Sequence, residues 1–109
     1  MENTTILELI RNHGINTGDI VISTAGHDAN RIYIVFSVNN KIAQIGDGIL
    51  KNPIHPKNKR VTHLKTIGVL KDLQYKECQL SKTYDTDGQN RLIKEWIAEF
   101  LSENRDNKK

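Results

Sequence analysis

The chain has 109 residues, of which 37% are hydrophobic and 27% are charged, and its formal net charge is +3. This length suits one domain of ordinary size, and the composition excludes a fibrous or largely disordered chain. No apolar run approaches the roughly 20 residues that span a bilayer, and residues 1–5 lack the basic and apolar regions of an export signal. We therefore expect no membrane segment and a cytoplasmic location, which also suits the single cysteine, Cys78.

Residues 1–16 are predicted to form either a short helix or an extended arm. Asn3 or Thr4 can cap a helix that runs to about Asn12 and stops at Gly14. The apolar face of that helix would contain Ile6, Leu9 and Ile10. The same segment also suits an arm, so both alternatives stand.

Residues 18–38 contain two runs of alternating residues joined by a short loop. In the first run, Ile20 and Ile22 alternate with Val21 and Ser23. In the second run, one face is apolar and contains Ile32, Ile34, Phe36 and Val38, and the other contains Tyr33, Val35 and Ser37. Period-two alternation of this length favours strands over helix. Because residues 24–30 include Gly26, Asp28 and Asn30, which suit a sharp reversal, we predict an antiparallel hairpin.

Three further strands are predicted between residues 42 and 67. After a turn at Asn39 and Asn40, alternation at residues 42–45 indicates a third strand. Asp47 and Gly48 are typical of a type I′ turn, which would lead into a fourth strand at residues 49–51. Residues 52–60 contain two prolines and no alternation, so we expect an exposed loop outside any central ladder. Alternation at residues 61–67 predicts the fifth strand, which Gly68 ends.

The last third of the chain is predicted to contain a linker, a helix and a polar tail. Residues 69–88 suggest a linker with weak structure, and residues 103–109 a flexible tail. Between them, residues 89–102 carry one apolar stripe at helical spacing, formed by Leu92, Ile93, Trp96, Ile97, Phe100 and Leu101. We expect this amphipathic helix to cover an open side of the sheet. Docking on another protein through Trp96 and Phe100 is the alternative.

The hairpin resembles a KOW motif, in which a Gly-Asp pair opens a strand, aliphatic residues alternate, and a Gly-x-x-basic-Gly loop leads into the second strand. Here Gly18 and Asp19 open the strand, while Ala29 and Asn30 replace the usual basic residue and second glycine. The wider match, residues 17–68, is similar to the KOW-domain RNA-binding proteins of bacteria, relatives of a group of large-subunit ribosomal proteins of archaea and eukaryotes. This resemblance implies a small five-stranded Src-homology-3-like barrel that binds structured RNA. The expected fold class is therefore mostly β with appended α.

Positive charge is concentrated in one segment of the sequence. Residues 48–71 contain no Asp or Glu but six basic residues, Lys51, Lys57, Lys59, Arg60, Lys65 and Lys71. Such clustering is typical of a protein that binds a polyanion, although a solvated lysine-rich loop would have the same composition. We predict that RNA contacts the barrel edge through His27, Asn30, Arg31, Tyr33, Lys51, Lys57, Lys59, Arg60, His63 and Lys65. Tyr33 would either stack on a base or pack against a neighbouring segment.

Catalysis and metal binding find no support in the sequence. The four histidines, His13, His27, His55 and His63, lack the paired spacing of zinc ligands. No glycine-rich nucleotide loop or nucleophile motif is present, so we expect no cofactor and no enzymatic activity. Two functions remain, namely an RNA-binding protein that contacts ribosomal or ribosome-associated RNA, and a protein-interaction adaptor of the transcription or translation machinery. The adaptor would use the barrel or the Trp96 helix.

Overall fold

The computed structural model describes residues 14–107, with side chains through residue 104, so the predicted helix or arm before Gly14 lies outside the described residues. Five strands come first: β1 (Asp19–Ser23), β2 (Ile32–Asn39), β3 (Ile42–Gly46), β4 (Lys57–Arg60) and β5 (Leu64–Val69). Two helices follow, α1 (Leu73–Ser81) and α2 (Thr86–Asn107). The expected class, mostly β with appended α, is confirmed.

All five strands belong to one antiparallel sheet with the order β4-β3-β2-β1-β5. The edge strands β4 and β5 are not paired with each other, so the sheet is open between them. A 3₁₀ turn, Val61–His63, connects these two edges. The connection from one edge strand to the other is therefore only three residues long.

Two of the predicted turns contain an asparagine with a left-handed backbone. The β1–β2 hairpin forms as predicted, and Asn30 near the end of its loop has a φ of 75°. Asn40 in the turn between β2 and β3 has a φ of 58°. Asparagine tolerates this region better than most non-glycine residues.

A β-bulge in β2 reverses which residues face the inside of the sheet. Val35 pairs with Ile45, but the next paired residue is Ser37, opposite Gln44, so Phe36 is the extra residue. Before the bulge, Tyr33 and Val35 face the inner core, whereas after it Val38 does. The prediction that Val38 shares a face with Ile32, Ile34 and Phe36 is therefore wrong.

The predicted fourth strand and the loop after it are also corrected. No strand forms at residues 49–51: the chain bends at residues 48–50, where the Asp47 carboxylate accepts hydrogen bonds from the backbone N–H groups of Ile49, Leu50 and Lys51 at 2.9, 3.2 and 3.2 Å. The fourth strand instead lies within the predicted loop, where β4 pairs with β3 along its whole length. Pro53 and Pro56 precede β4 and so leave its N–H groups available.

The remaining boundaries shift by a few residues. The first three residues of the predicted fifth strand form the 3₁₀ turn, and β5 continues past Gly68 to Val69. The predicted linker contains helix α1. Helix α2 begins at Thr86, three residues early, since the Asp85 carboxylate accepts the Gly88 N–H at 2.8 Å, and it continues into the predicted tail as far as Asn107. In the described part of the chain, neither helix has the length and apolar character needed to cross a membrane.

The sheet has an apolar core on each face. The inner core contains Ile15, Val21, Tyr33, Val35, Ala43, Ile45 and Leu64. The outer core joins the sheet to the helices and contains Ile20, Ile34, Leu70, Ile93 and Trp96, with Phe36 and Phe100 packed against it. The apolar stripe of α2 therefore covers the sheet, as expected, and Trp96 is only 7% exposed.

Gly68 allows the close approach of α2 to β5. A Cβ atom at this position would overlap the aromatic ring of Phe100. We expect Gly68→Ala to lower the free energy of unfolding by about 1–3 kcal/mol through overpacking, measured by urea denaturation. In a Phe100→Leu background the same change should cost less, because the smaller side chain leaves room. Effects that add to within about 0.5 kcal/mol would contradict this contact.

Candidate nucleic-acid interface

A buried carboxylate organises the loop between β1 and β2. Asp28 is 8% exposed and accepts three hydrogen bonds, from Ser23 Oγ at 3.0 Å, Tyr33 Oη at 2.8 Å and Lys59 Nζ at 2.8 Å. Lys57 Nζ lies 3.7 Å from Asp28 Oδ2. We call Ser23, Asp28, Tyr33, Lys57 and Lys59 the Asp28 network. It joins residues of β1, β2, β4 and the loop.

The network changes the acidity of two of its members. Burial alone would raise the pKa of the Asp28 carboxyl, but the hydrogen bonds from Lys59, Tyr33 and Ser23 outweigh burial and hold the pKa well below its usual value. Burial, together with the bond to the Asp28 carboxylate, raises the pKa of the Tyr33 hydroxyl well above its usual value. Asp28 is therefore ionised and Tyr33 is neutral at physiological pH.

Lys59 fastens the hairpin loop to β4. It lies opposite the fully buried Ala43, so its side chain points to the inner face of the sheet and is only 13% exposed. Its ammonium donates to the Ala25 carbonyl and to Asp28, both at 2.8 Å. A lysine in this position is tolerated because both partners satisfy its charge and its donors.

Two backbone hydrogen bonds extend this arrangement along the edge of the sheet. The Val61 N–H donates to the Lys41 carbonyl at 2.9 Å, and the Thr24 N–H donates to the His63 carbonyl at 2.9 Å. The 3₁₀ turn is thereby placed between the β2–β3 turn and the β1–β2 loop. We call the polar side chains along this path the basic rim: His27, Asn30, Lys41, Lys57, Arg60 and His63.

The ten predicted site residues do not all lie on this rim. Arg31 is exposed, but its guanidinium is 3.6 Å from the Asp47 carboxylate, in a groove that Lys94 and Leu101 of α2 also line. Lys51 is half-buried, and its backbone N–H is bound by Asp47. Both residues therefore belong to the side of the sheet that faces α2.

Tyr33, Lys59 and Lys65 also lie outside the basic rim. Tyr33 is 2% exposed and hydrogen-bonded inside the network, so its use as a stacking platform is wrong and its packing alternative holds. Lys59 is held inside the network by its partners. Lys65 is exposed on the edge strand β5, opposite Ile22. The prediction that the lysines after Pro53 lie beside the His27 loop holds for Lys57 and Lys59, through their contacts with Asp28.

Sequence reasoning missed a group of polar residues on the outer face of the sheet. Ser37, Asn39, Gln44 and Asn58, together with Asn40 and Ile42, line a shallow cleft of about 500 Å³. The register pairs Ser37 with Gln44 and Gln44 with Asn58, so these three lie side by side across three strands. The sequence gives no periodic signal for this group, because β3 has one polar side chain and β4 is polar throughout, and the bulge that turns Ser37 outward cannot be read from the sequence.

Charge is divided between the two halves of the described chain. Residues 14–71 contain eight Lys and Arg but only three Asp and no Glu. Residues 72–104 contain seven Asp and Glu and four Lys and Arg. In that second part, Lys76 is already 3.9 Å from the Glu99 carboxylate. The sheet is therefore basic and the helical layer acidic.

Within residues 14–107, no three His, Cys, Asp or Glu side chains lie close enough together to hold a metal ion. The chain matches no protein-family model, and no curated protein is similar to it.

Replacing Asp28 should weaken the fold in a pH-dependent way. At pH 7 we expect Asp28→Asn to lower the free energy of unfolding by about 3 kcal/mol, since it leaves Lys59 without its counter-charge. The lowered pKa means that the unfolded chain binds a proton more readily, so this stabilisation is complete above about pH 4 and is lost as the pH falls further. Denaturation curves from about pH 7 to about pH 2 measure the difference between wild type and variant.

A matched control is Asp72→Asn. Asp72 is exposed, and its carboxylate has no hydrogen bond or ion pair with the described residues. Its replacement should leave the free energy of unfolding nearly unchanged at pH 7. A stability difference between wild type and Asp28→Asn that persists unchanged into strong acid would contradict the account of the Asp28 network.

Proposed function

We propose that the protein binds RNA through the basic rim, and that residues 17–68 form a KOW-type, Src-homology-3-like barrel. The barrel is supported by the inner core, to which β1, β2, β3 and β5 all contribute. It is also supported by the 3₁₀ turn, which links the two sheet edges and bonds to both neighbouring turns. The KOW-like hairpin at residues 18–38 supplies the resemblance to RNA-binding proteins.

The observation that carries the proposal is the contact between the hairpin loop and β4. The Asp28 network brings Ala25 and Asp28 against Lys57 and Lys59, so the loop that carries His27 and Asn30 lies beside the basic strand. Asp28 neutralises about one of the two lysine charges, which leaves the surroundings of Lys57 positive. Backbone and side-chain donors beside a cationic group suit phosphate oxygens.

Several basic side chains remain available to a polyanion. Lys41, Arg60 and Lys65 are exposed and form no ion pair with any residue in the described range. Lys57 is 34% exposed and only loosely paired. Because phosphate contacts supply most of the sequence-independent affinity for nucleic acids, Lys41, Lys57 and Arg60 of the basic rim would dominate binding, together with Lys65 on the edge strand β5. Ribosomal or ribosome-associated RNA is the ligand class that the KOW resemblance implies.

The alternative of a protein adaptor anchored by Trp96 fits the structure less well. Trp96 is packed in the outer core with Ile20, Ile34 and Ile93, and a partner could use it only after α2 had separated from the sheet. Phe100 likewise lies against Gly68. The RNA-binding proposal needs no such rearrangement.

Binding to RNA should weaken steeply with salt. If Lys41, Lys57, Arg60 and Lys65 each neutralise one phosphate, the log-log slope of affinity against salt concentration is roughly −3, using about 0.7 to 0.9 per contact. Arg60→Gln and Lys65→Gln should each reduce the magnitude of that slope by about 0.7 to 0.9. Fluorescence anisotropy with a labelled structured RNA, over a series of salt concentrations, measures both values.

Lys82→Gln provides the control for loss of one charge. Lys82 is exposed but lies between α1 and α2, in the acidic part of the molecule. Its replacement should leave the slope unchanged. If the wild-type protein binds no RNA at low salt, or if all three variants behave alike, the proposed function is wrong.

A further inference from the structure

The bulge at Phe36 divides the outer face of the sheet into two regions. In the region before the bulge, the apolar side chains of Ile20, Ile34 and Phe36 are covered by the helices. In the region after it, Ser37 and Gln44 lie under neither helix and face the shallow polar cleft. The sheet therefore has one covered apolar region and one open polar region.

Amide groups dominate the open region. We call Ser37, Asn39, Gln44 and Asn58 the amide face. Ser37 Oγ donates to Gln44 Oε1 at 3.1 Å. The NH₂ group of Gln44 takes no part in that bond and points away from it. None of the residues lining the cleft is acidic, and Ile42, 38% exposed, is its one apolar member.

Amides and hydroxyls both donate and accept hydrogen bonds, and so does the ribose 2′-hydroxyl of RNA. In double-stranded RNA these hydroxyls line a minor groove that is wide and shallow, so a nearly flat protein surface can reach them. No aromatic side chain lines the cleft to stack an unpaired base. The chemistry of the amide face therefore suits a duplex better than a single strand.

The amide face adjoins the basic rim. Arg60 pairs with Ile42 in the β3–β4 ladder, at the end of the cleft, and Lys41 precedes Ile42 in the chain. Both are cationic members of the rim, so a ligand lying on the amide face would present phosphates to them. The acidic helical layer covers the other region of the outer face and would repel the same ligand.

We propose that the amide face binds the ribose 2′-hydroxyls in the minor groove of double-stranded RNA, while Arg60 and Lys41 bind the flanking phosphates. This inference rests on the proposed function and specifies which RNA structure is recognised and which chemical group is read. It gives the protein a means of distinguishing RNA from DNA that phosphate contacts alone do not supply.

The test compares an RNA duplex with a DNA duplex of the same sequence. Gln44→Ala combined with Asn58→Ala should lower affinity for the RNA duplex roughly tenfold, since two hydrogen bonds are lost, and leave affinity for the DNA duplex within about twofold. Its salt slope should match that of the wild type, because no charge is removed. Arg60→Gln should instead weaken binding to both duplexes and reduce the slope.

Gln74→Ala is the matched amide control, since Gln74 is exposed on α1. It should bind both duplexes like the wild type. All the substituted side chains are exposed, and thermal unfolding of each variant confirms that its fold is retained. These controls separate a lost contact from a damaged fold.

Three results would overturn the inference in different ways. If the wild type binds the RNA duplex and the Gln44/Asn58 double variant binds it equally well, the amide face is not used and the proposed function stands. If the double variant loses affinity for single-stranded RNA alone, unpaired nucleotides occupy the face instead. If the wild type binds neither duplex nor single-stranded RNA, the proposed function itself is wrong.

Discussion

The ion pair between Asp28 and Lys59 is the interaction on which the arrangement of the candidate site depends. It joins a loop after β1 to a strand 31 residues further along the chain, and both partners are largely buried. Without the carboxylate, the inner face of the sheet would contain an unpaired ammonium and the unsatisfied hydroxyl of Tyr33. The same contact that stabilises the fold therefore also holds the loop that contains His27 against β4.

The second constraint is the single extra residue in β2. By reversing the alternation, Phe36 allows one strand to contribute Tyr33 and Val35 to the inner core, Ile34 to the helix interface, and Ser37 to an open surface. A regular strand would have turned Ser37 inward and Val38 outward. A local backbone irregularity thus turns the end of β2 so that Ser37 joins the amide face while Val38 joins the inner core.

Much of the architecture follows from the sequence, since the first three strands and α2 have clear periodicity. Strand β4 does not, because Lys57, Asn58, Lys59 and Arg60 include no apolar residue, and the inward lysine is acceptable only through a partner distant in sequence. The orientation of Tyr33 was equally hidden, because apolar residues occupy both faces of β2 once α2 covers one of them. Charge clustering indicated the basic segment correctly. It did not indicate that Lys59 is paired with Asp28 inside the protein.

The opposite charges of the sheet and the helical layer have a kinetic consequence. A basic side and an acidic side give the protein an electric dipole, and a nearby polyanion exerts a torque on it before any contact forms. The protein would then meet the polyanion with its open sheet surface already facing it. A larger share of collisions would therefore lead to binding. Dissolved ions shorten the reach of that field, so this rotational guidance would fade within about 10 Å at 0.1 M salt.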